Sequence, residues 1–427
     1  MIRRSLTLFT GLFVLILVVG WLMGVPFTSS RLVEATAYSL IALGLNIQWG
    51  YGGLFNFGIM GFLMLGGFAV TFISYPINPL FWGSDGPWLL GRALLAFGAG
   101  ALLVIGAQQS HRVGVRGGWK LALTFFAWFV AYCVYRSQID PAAAYIEANA
   151  GFVGGLGAHP VLGWLFGGVL AAIIAYIVGK IALGLRTDYL AIATIGISEI
   201  IRALIKNMDW LTRGTLTVSP IPWPTPLPQA YQASGSNQLV SLLLARGGFL
   251  LLAVAVLAIA IWLISRAYAG PWGRMMRAIR DNHIASASMG KNVTARQLEI
   301  FVFGSVLMGI GGAMLVSFTQ IFDPTSYQPI NHTFLIWVMI IVGGAGNNWG
   351  AIFGAVLIWL IWVTSEPLAK AIFELVSYWS TNIGWGAIPE IESRSAQMRV
   401  FVLGLVITIA LRFAPKGLIP EAVRRDA

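Results

Sequence analysis

The sequence predicts an all-α fold, a polytopic transmembrane bundle of about 12 segments (10–12) with both termini cytoplasmic. Three observations carry this. Of 427 residues, 58% are hydrophobic and only 10% charged, whereas a soluble domain carries about 25% charged residues. Apolar stretches recur from end to end, and about 20 such residues cross a bilayer as a helix. Lysine and arginine are unevenly placed. With the segments below, 16 of the 27 fall in loops on one side and nine on the other, and the richer side is cytoplasmic. The 17 Trp and 12 Tyr suit interfacial belts. The whole chain, 1–427, reads as one membrane domain.

Residues 6–24 form the first span. Arg3 and Arg4 also fit the basic start of a signal peptide, but VPFTSS follows where a small-x-small cleavage site belongs, so an uncleaved helix is expected. The second span is 32–49, and GYGGLFNFGIMGFLMLGGFAV, 50–70, contains the third. Its glycines permit close helix contacts or an interrupted helix, hence plain packing or a pore-lining role. Asn46, Gln48 and Asn56 lie beside this break. Polar groups in lipid need partners, so these amides face protein or water.

A loop at 75–91 precedes a span at 93–108, a basic loop with His111, Arg112, Arg116 and Lys120, a span at 121–135 and a loop at 136–160. Spans at 161–183 and 189–207 follow. Asp188 is placed to cap the latter. Glu199 lies about 16 Å along that helix, near mid-membrane, with Arg202 at i+3. An intramembrane charge is either a functional site or a structural ion pair that locks the helix, and both readings stand.

Residues 207–246 form a Pro-rich external loop, SPIPWPTPLPQA at its centre. Such a run is extended and semi-rigid, and it either receives an external protein or packs over the spans. A span at 248–265 enters the basic segment 270–297. Then come a span at 298–318, a loop with Asp323 that ends at His332, a short span at 334–342, GGAGNNWG at 343–350 and a span to 363. Residues 366–398 form an external segment with an amphipathic helix at 367–379, and 400–412 is the last span. The breaks GYGGLFNFG and GGAGNNWG resemble each other. Glycine-interrupted segments in corresponding places point to a repeat and a central pathway, with Asn46, Asn56, Ser198, Glu199 and Asn347 as candidates to line it.

The segment GPWGRMMRAIRDNHIASASMGKNVTARQ, 270–297, carries Arg274, Arg277, Arg280, Lys291 and Arg296 against one acid, Asp281. A helix is expected over 274–289, stopped by Gly290, with the first three arginines on one face. Charge alone is explained by membrane orientation; the order Ala, Ser, Ala, Ser, Met, Gly after a basic helix is not. That order resembles the cytoplasmic coupling loop, the "EAA" segment, of ABC-importer permeases. GRMMRAIRDNHIASASMGKNVTARQLEIFVFG is similar to the branched-chain amino acid permease family in particular, as are 188–202, 343–356 and the tail APKGLIPEAVRR. Where that family has an acid before its small-residue run, this chain has His283. The resemblance covers spans 2–3 and 6–12, and spans 4–5 look like an addition.

The resemblance implies a permease subunit of an importer in the bacterial inner membrane, carrying a small polar solute. The solute would be a branched-chain or related amino acid, or a urea or amide. It implies a second permease subunit, two ATP-binding subunits and a periplasmic or extracellular substrate-binding protein. The ATPase-coupling residues would be Arg277, Asp281, His283, Ile284, Ala285, Ser286, Met289 and Gly290.

Gly290-Lys291 is followed by Asn292, so the chain has no Walker A motif. It is expected to hold no cofactor, ATP and Mg being bound on partner subunits. Cys133 is the single cysteine, so no disulfide forms within the chain. No His/Cys cluster suggests a metal, and no nucleophile–base pair suggests an enzyme. The net charge of +11 is explained by orientation and not by nucleic acid. An alternative is a stand-alone ion-coupled secondary transporter or channel using Glu199 and Arg202, although a lone carrier needs no coupling loop.

Overall fold

The computed structural model describes residues 2–110, 117–384 and 386–421. His111, Arg112 and Arg116 of the predicted basic loop, and Arg424 and Arg425 of the tail, lie outside the described residues. Helices α1 (Ile2–Met23) and α2 (Val25–Leu45) are separated only by Gly24. Its φ of +88° lies in the left-handed region that glycine reaches most readily. Helix α2 runs into a π-helical turn, Asn46–Tyr51, and 52–58 is irregular before α3 (Ile59–Ser74). Then come α4 (Pro79–Trp82), α5 (Gly86–Gln108), α6 (Gly118–Asn149), α7 (Pro160–Ala182), α8 (Thr187–Lys206), α9 (Asp209–Thr212), α10 (Pro228–Ala233) and α11 (Gln238–Ala269). Helices α12 (Pro271–Asp281) and α13 (His283–Ser288) lead to α14 (Val293–Thr319), a π-helical turn at Ile330–Phe334, α15 (Leu335–Gly343), α16 (Asn348–Asn382) and α17 (Ile391–Phe413).

The described residues contain no strand, only isolated bridges at Ile77–Gly154 and Val218–Phe322. Among the described residues eight helices are long and apolar enough to cross a membrane, and two more apolar helices are shorter, Ile59–Ser74 and Asn331–Gly343. The chain is an all-helical, polytopic membrane protein.

Several expected boundaries move, each for one reason: an apolar stripe continues past the uniformly apolar stretch. Helix α6 does not end at 135. Ile139, Ala142 and Ile146 are buried, an i, i+3, i+7 face that carries the helix through Pro141 to Asn149. Helix α11 starts at Gln238, so the Pro-rich loop is shorter than 207–246. Ser241, Ala245 and Phe249 form its buried stripe. The predicted amphipathic helix at 367–379 exists but is continuous with the preceding span, with Pro367 inside α16. Asp188 lies in the first turn of α8, but the N-cap position is Arg186 and no side chain caps it.

Helix α14 is central and packs against α7, α3 and α2, while α16 packs against α2, α15 and α17. Lipid tails are as apolar as leucine, so helices in a membrane associate through close packing and hydrogen bonds. Both are present. A Cβ on Gly66 would stand 1.9 Å from the carbonyl oxygen of Gly309, so the α3 and α14 backbones touch there. Trp164 Nε1 donates to Ser317 Oγ at 2.8 Å. Helices α5 and α6 pack chiefly on each other around a small cluster of Val104, Ala107 and Ala127.

One end of the bundle gathers α12–α13, the break between α15 and α16, and the tail, where Leu418 N and Ile419 N donate to the carbonyls of Val342 and Gly343. Phe9 near the start of α1 meets Trp349 and Phe353 there. The opposite end holds the start of α2, the end of α14 and the Pro-rich loop. That loop packs over the spans: Ile221 is fully buried, and Trp223 Nε1 donates to the Phe318 carbonyl at 3.1 Å.

Candidate coupling site

Helix α12 buries Gly273, Met276 and Ile279. The expected single helix over 274–289 is two helices. Asn282 ends α12, and its Oδ1 accepts from Ala285 N at 3.0 Å, an N-cap that starts α13 in a new direction. Gly290, at φ +76°, closes α13 in the left-handed conformation that suits glycine. His283, Ala285 and Gly290 are exposed and Ser286 is buried. Ile284 and Met289 are 67% and 80% exposed, so two apolar side chains project from a polar loop.

The three arginines divide. Arg274 and Arg277 are exposed, and Arg277 Nε donates back to the Gly273 carbonyl at 3.3 Å. Arg280 turns inward. Its guanidinium donates to the carbonyl of Gly50 at 2.7 Å and to Glu421 Oε2 at 3.0 Å, and it meets Asp281 at 3.2 Å. Burial lowers its pKa, but the bonds to Glu421 and Asp281 outweigh this and leave it raised. Arg280 thus links the exposed loop, the first break and the tail. Sequence reading gives it no special place, but a signal exists: Gly273, Met276 and Arg280 stand at i, i+3, i+7, the spacing of the buried stripe. Glu421 carries no such signal.

The two breaks meet. Asn46 Oδ1 accepts from Gly346 N at 2.8 Å, and its Nδ2 donates to Asn348 Oδ1 at 3.1 Å. Gln48 Nε2 donates to the Phe301 carbonyl and to Ser305 Oγ, and Asn56 Nδ2 donates to Gln48 Oε1 at 2.8 Å. Asn56 Oδ1 accepts from Gly58 N, and its carbonyl accepts from Trp337 Nε1. Asn46, Gln48 and Asn56 are fully buried, so these amides face protein. Asn347 caps α16, accepting from Trp349 N and Gly350 N, and donates to the Pro420 carbonyl. Ser198 is buried, bonded to its own helix at Ile195, and lies against the backbone of Gly61. Glu199 and Arg202 form the expected pair on α8 at 3.1 Å, with side chains 42% and 24% exposed. They are not brought together with the amides by any hydrogen bond or ion pair among the described residues. No group of three or more His, Cys, Asp or Glu is placed to hold a metal among the described residues.

An all-helical membrane chain whose surface loop is bonded to one of two interruptions that meet in its core has the build of a membrane transport permease. Residues 27–411 match the family described as "Branched-chain amino acid transport system / permease component", and the chain belongs to that family. A "Probable branched-chain amino acid transport permease protein LivM" from Methanocaldococcus jannaschii is 22% identical over 404 residues, 93% of this chain and 95% of that protein. The "High-affinity branched-chain amino acid transport system permease protein LivM" of Salmonella typhimurium is 29% identical over 209 residues, 45% of this chain and 47% of its own. Its Escherichia coli counterpart is 28% identical over 209 residues, with the same coverage of both chains. No solved structure matches the chain.

Proposed function

We propose that this chain is the permease subunit of an ATP-binding-cassette importer that carries branched-chain or related amino acids across the bacterial inner membrane. It crosses in twelve segments: the eight long helices, α2 and α8, and the shorter α3 and α15. Both termini are cytoplasmic. This topology is supported by the gathering of α12–α13, the start of α1 and the tail at one end of the bundle. A second permease subunit completes the channel, two partner subunits bind ATP and Mg, and an external binding protein delivers the solute.

The observation that carries the reading is the Arg280 link from an exposed loop to the core break. ATP-driven closure of the partner subunits would push on Ile284, Ala285 and Met289. Helix α12 would pass that displacement to Gly50 and so to the crossing of the two breaks. The 270–297 segment is therefore the coupling element. Arg277, Asp281 and His283 on its exposed side face the partner, and Ser286 and Gly290 set its shape.

The test is purification of the chain in mild detergent, mass spectrometry of what accompanies it, and leucine uptake in proteoliposomes of the assembled complex. Co-purifying ATPase subunits, lost in Ala285→Glu and Gly290→Pro variants that still insert, are the expected result. A chain that transports in liposomes without ATP or partners overturns it.

A further inference from the structure

At the end of the bundle opposite the coupling loop lies a cavity of about 340 Å³ between α2, α14, the 321–332 loop and α16. Glu34, on its wall, is sixteen residues before Gly50, about 24 Å along the helix from the break at the coupling end. The wall carries both signs of charge. Arg31 Nη1 donates to both oxygens of Glu34, at 2.8 and 2.7 Å, and Asp323, one of whose oxygens accepts from Thr325 N and Oγ1, also lines the cavity. Leu63, Leu315 and Val316 supply an apolar side.

An ion pair that served only to lock α2 would close on itself. This one borders an open volume and leaves a donor over. Arg31 Nε is buried without a partner. Trp359 Nε1 stands beside the Glu34 carboxylate on the same wall. An unpaired donor inside a membrane protein is costly, and a carboxylate entering the cavity supplies acceptors. The volume sits near the lower limit of ligand pockets, about 300–1,000 Å³, which suits a solute of amino-acid size.

We infer that this cavity is a binding site for a zwitterionic amino acid with an aliphatic side chain. Arg31 takes its carboxylate, Glu34 and Asp323 take its ammonium, and the Leu63–Leu315–Val316 side takes its hydrocarbon. The inference rests on the amino-acid importer reading and adds a place within this chain where the solute is held before the coupling end opens.

The test uses the assembled importer in proteoliposomes with the exposed Cys133 replaced by serine and Ser326→Cys introduced. Ser326 is an exposed residue at the cavity mouth. A membrane-impermeant thiol reagent is added outside and its labelling rate measured. Leucine at about ten times its Kd is expected to slow labelling about tenfold, roughly nine sites in ten being filled. Isoamylamine, which lacks the carboxylate, and the 2-oxo acid of leucine, which lacks the ammonium, are expected to leave the rate unchanged. Glu34→Gln is expected to abolish protection. The ligand series is decisive even where that variant fails to assemble. Labelling unaffected by leucine, or slowed equally by all three compounds, overturns the site. Leucine uptake by the parent importer is measured alongside. Uptake without protection removes this site alone, and no uptake removes the amino-acid reading beneath it.

Discussion

The Arg280 guanidinium donates to the carbonyl oxygen of Gly50 at 2.7 Å, across 230 residues of sequence. Gly50 lies in the π-helical turn that ends α2, so a surface helix is bonded to the point where a core helix stops. The same nitrogen reaches Glu421. With Nη1 on Gly50 and Glu421 and Nε on Asp281, the planar guanidinium has three partners and transmits orientation as well as charge.

Arg280→Lys keeps the charge and removes the fork. Leucine uptake is expected to fall about tenfold, with assembly intact and ATP hydrolysis less affected. Glu421→Gln, which leaves the Gly50 bond, is expected to lower uptake less. Uptake and hydrolysis measured on the same proteoliposomes decide it. Unchanged uptake in Arg280→Lys would remove the link from the mechanism.

Asn46 is the joint between the two breaks, with one bond to Gly346 N and one to Asn348. Asn46→Leu leaves a buried amide N–H and a side-chain carbonyl without partners, at about 1–3 kcal/mol each. The expected outcome is a lower Tm in detergent and reduced assembled yield. An unchanged Tm contradicts the structural role given to Asn46.

Gly66→Ala and Gly98→Ala form a matched pair. The first drives a methyl into the Gly309 carbonyl, while the second, in α5, meets nothing within 4 Å. Overpacking is expected to cost about 1–3 kcal/mol at Gly66. At Gly98, better helix propensity is expected to add up to about 1 kcal/mol. Thermal melts of the two variants should move in opposite directions.

Glu199→Gln removes one half of the α8 ion pair. Lower assembled yield with unchanged substrate preference is expected. Competition among leucine, isoleucine and valine is the measurement, and a shifted preference in a well-assembled variant assigns Glu199 to the pathway.

Much of this architecture is legible in the residues because lipid imposes a simple rule: apolar runs become helices. The two breaks are readable as glycine clusters with amides; that they meet, through Asn46, Gly346 and Asn348, is not, because nothing in either segment names its partner. The ends of α6, α11 and α16 are not, because outside the lipid the signal changes from all-round apolar to a narrow stripe such as Ile139, Ala142 and Ile146. The bend at Asn282 is hidden because Asn also fits a helix surface, and only the donor it caps, Ala285 N, shows its role. Arg31 and Glu34 look in the sequence like an ordinary pair near a span end. Their significance lies in the empty space beside them, formed by residues almost three hundred positions away.

Helix α16 has 35 residues and α6 and α11 have 32 each, so they measure about 48–52 Å against a hydrocarbon core of about 30 Å. Tilt absorbs part of the excess; the rest projects. For α11 the direction is fixed: Phe249 packs on Phe318 at the end of α14, and eleven residues of α11 precede it. In α16 the surplus follows Trp359 at the cavity wall. The relief at the cavity end of the bundle is therefore stepped, with raised helix ends standing around the cavity mouth.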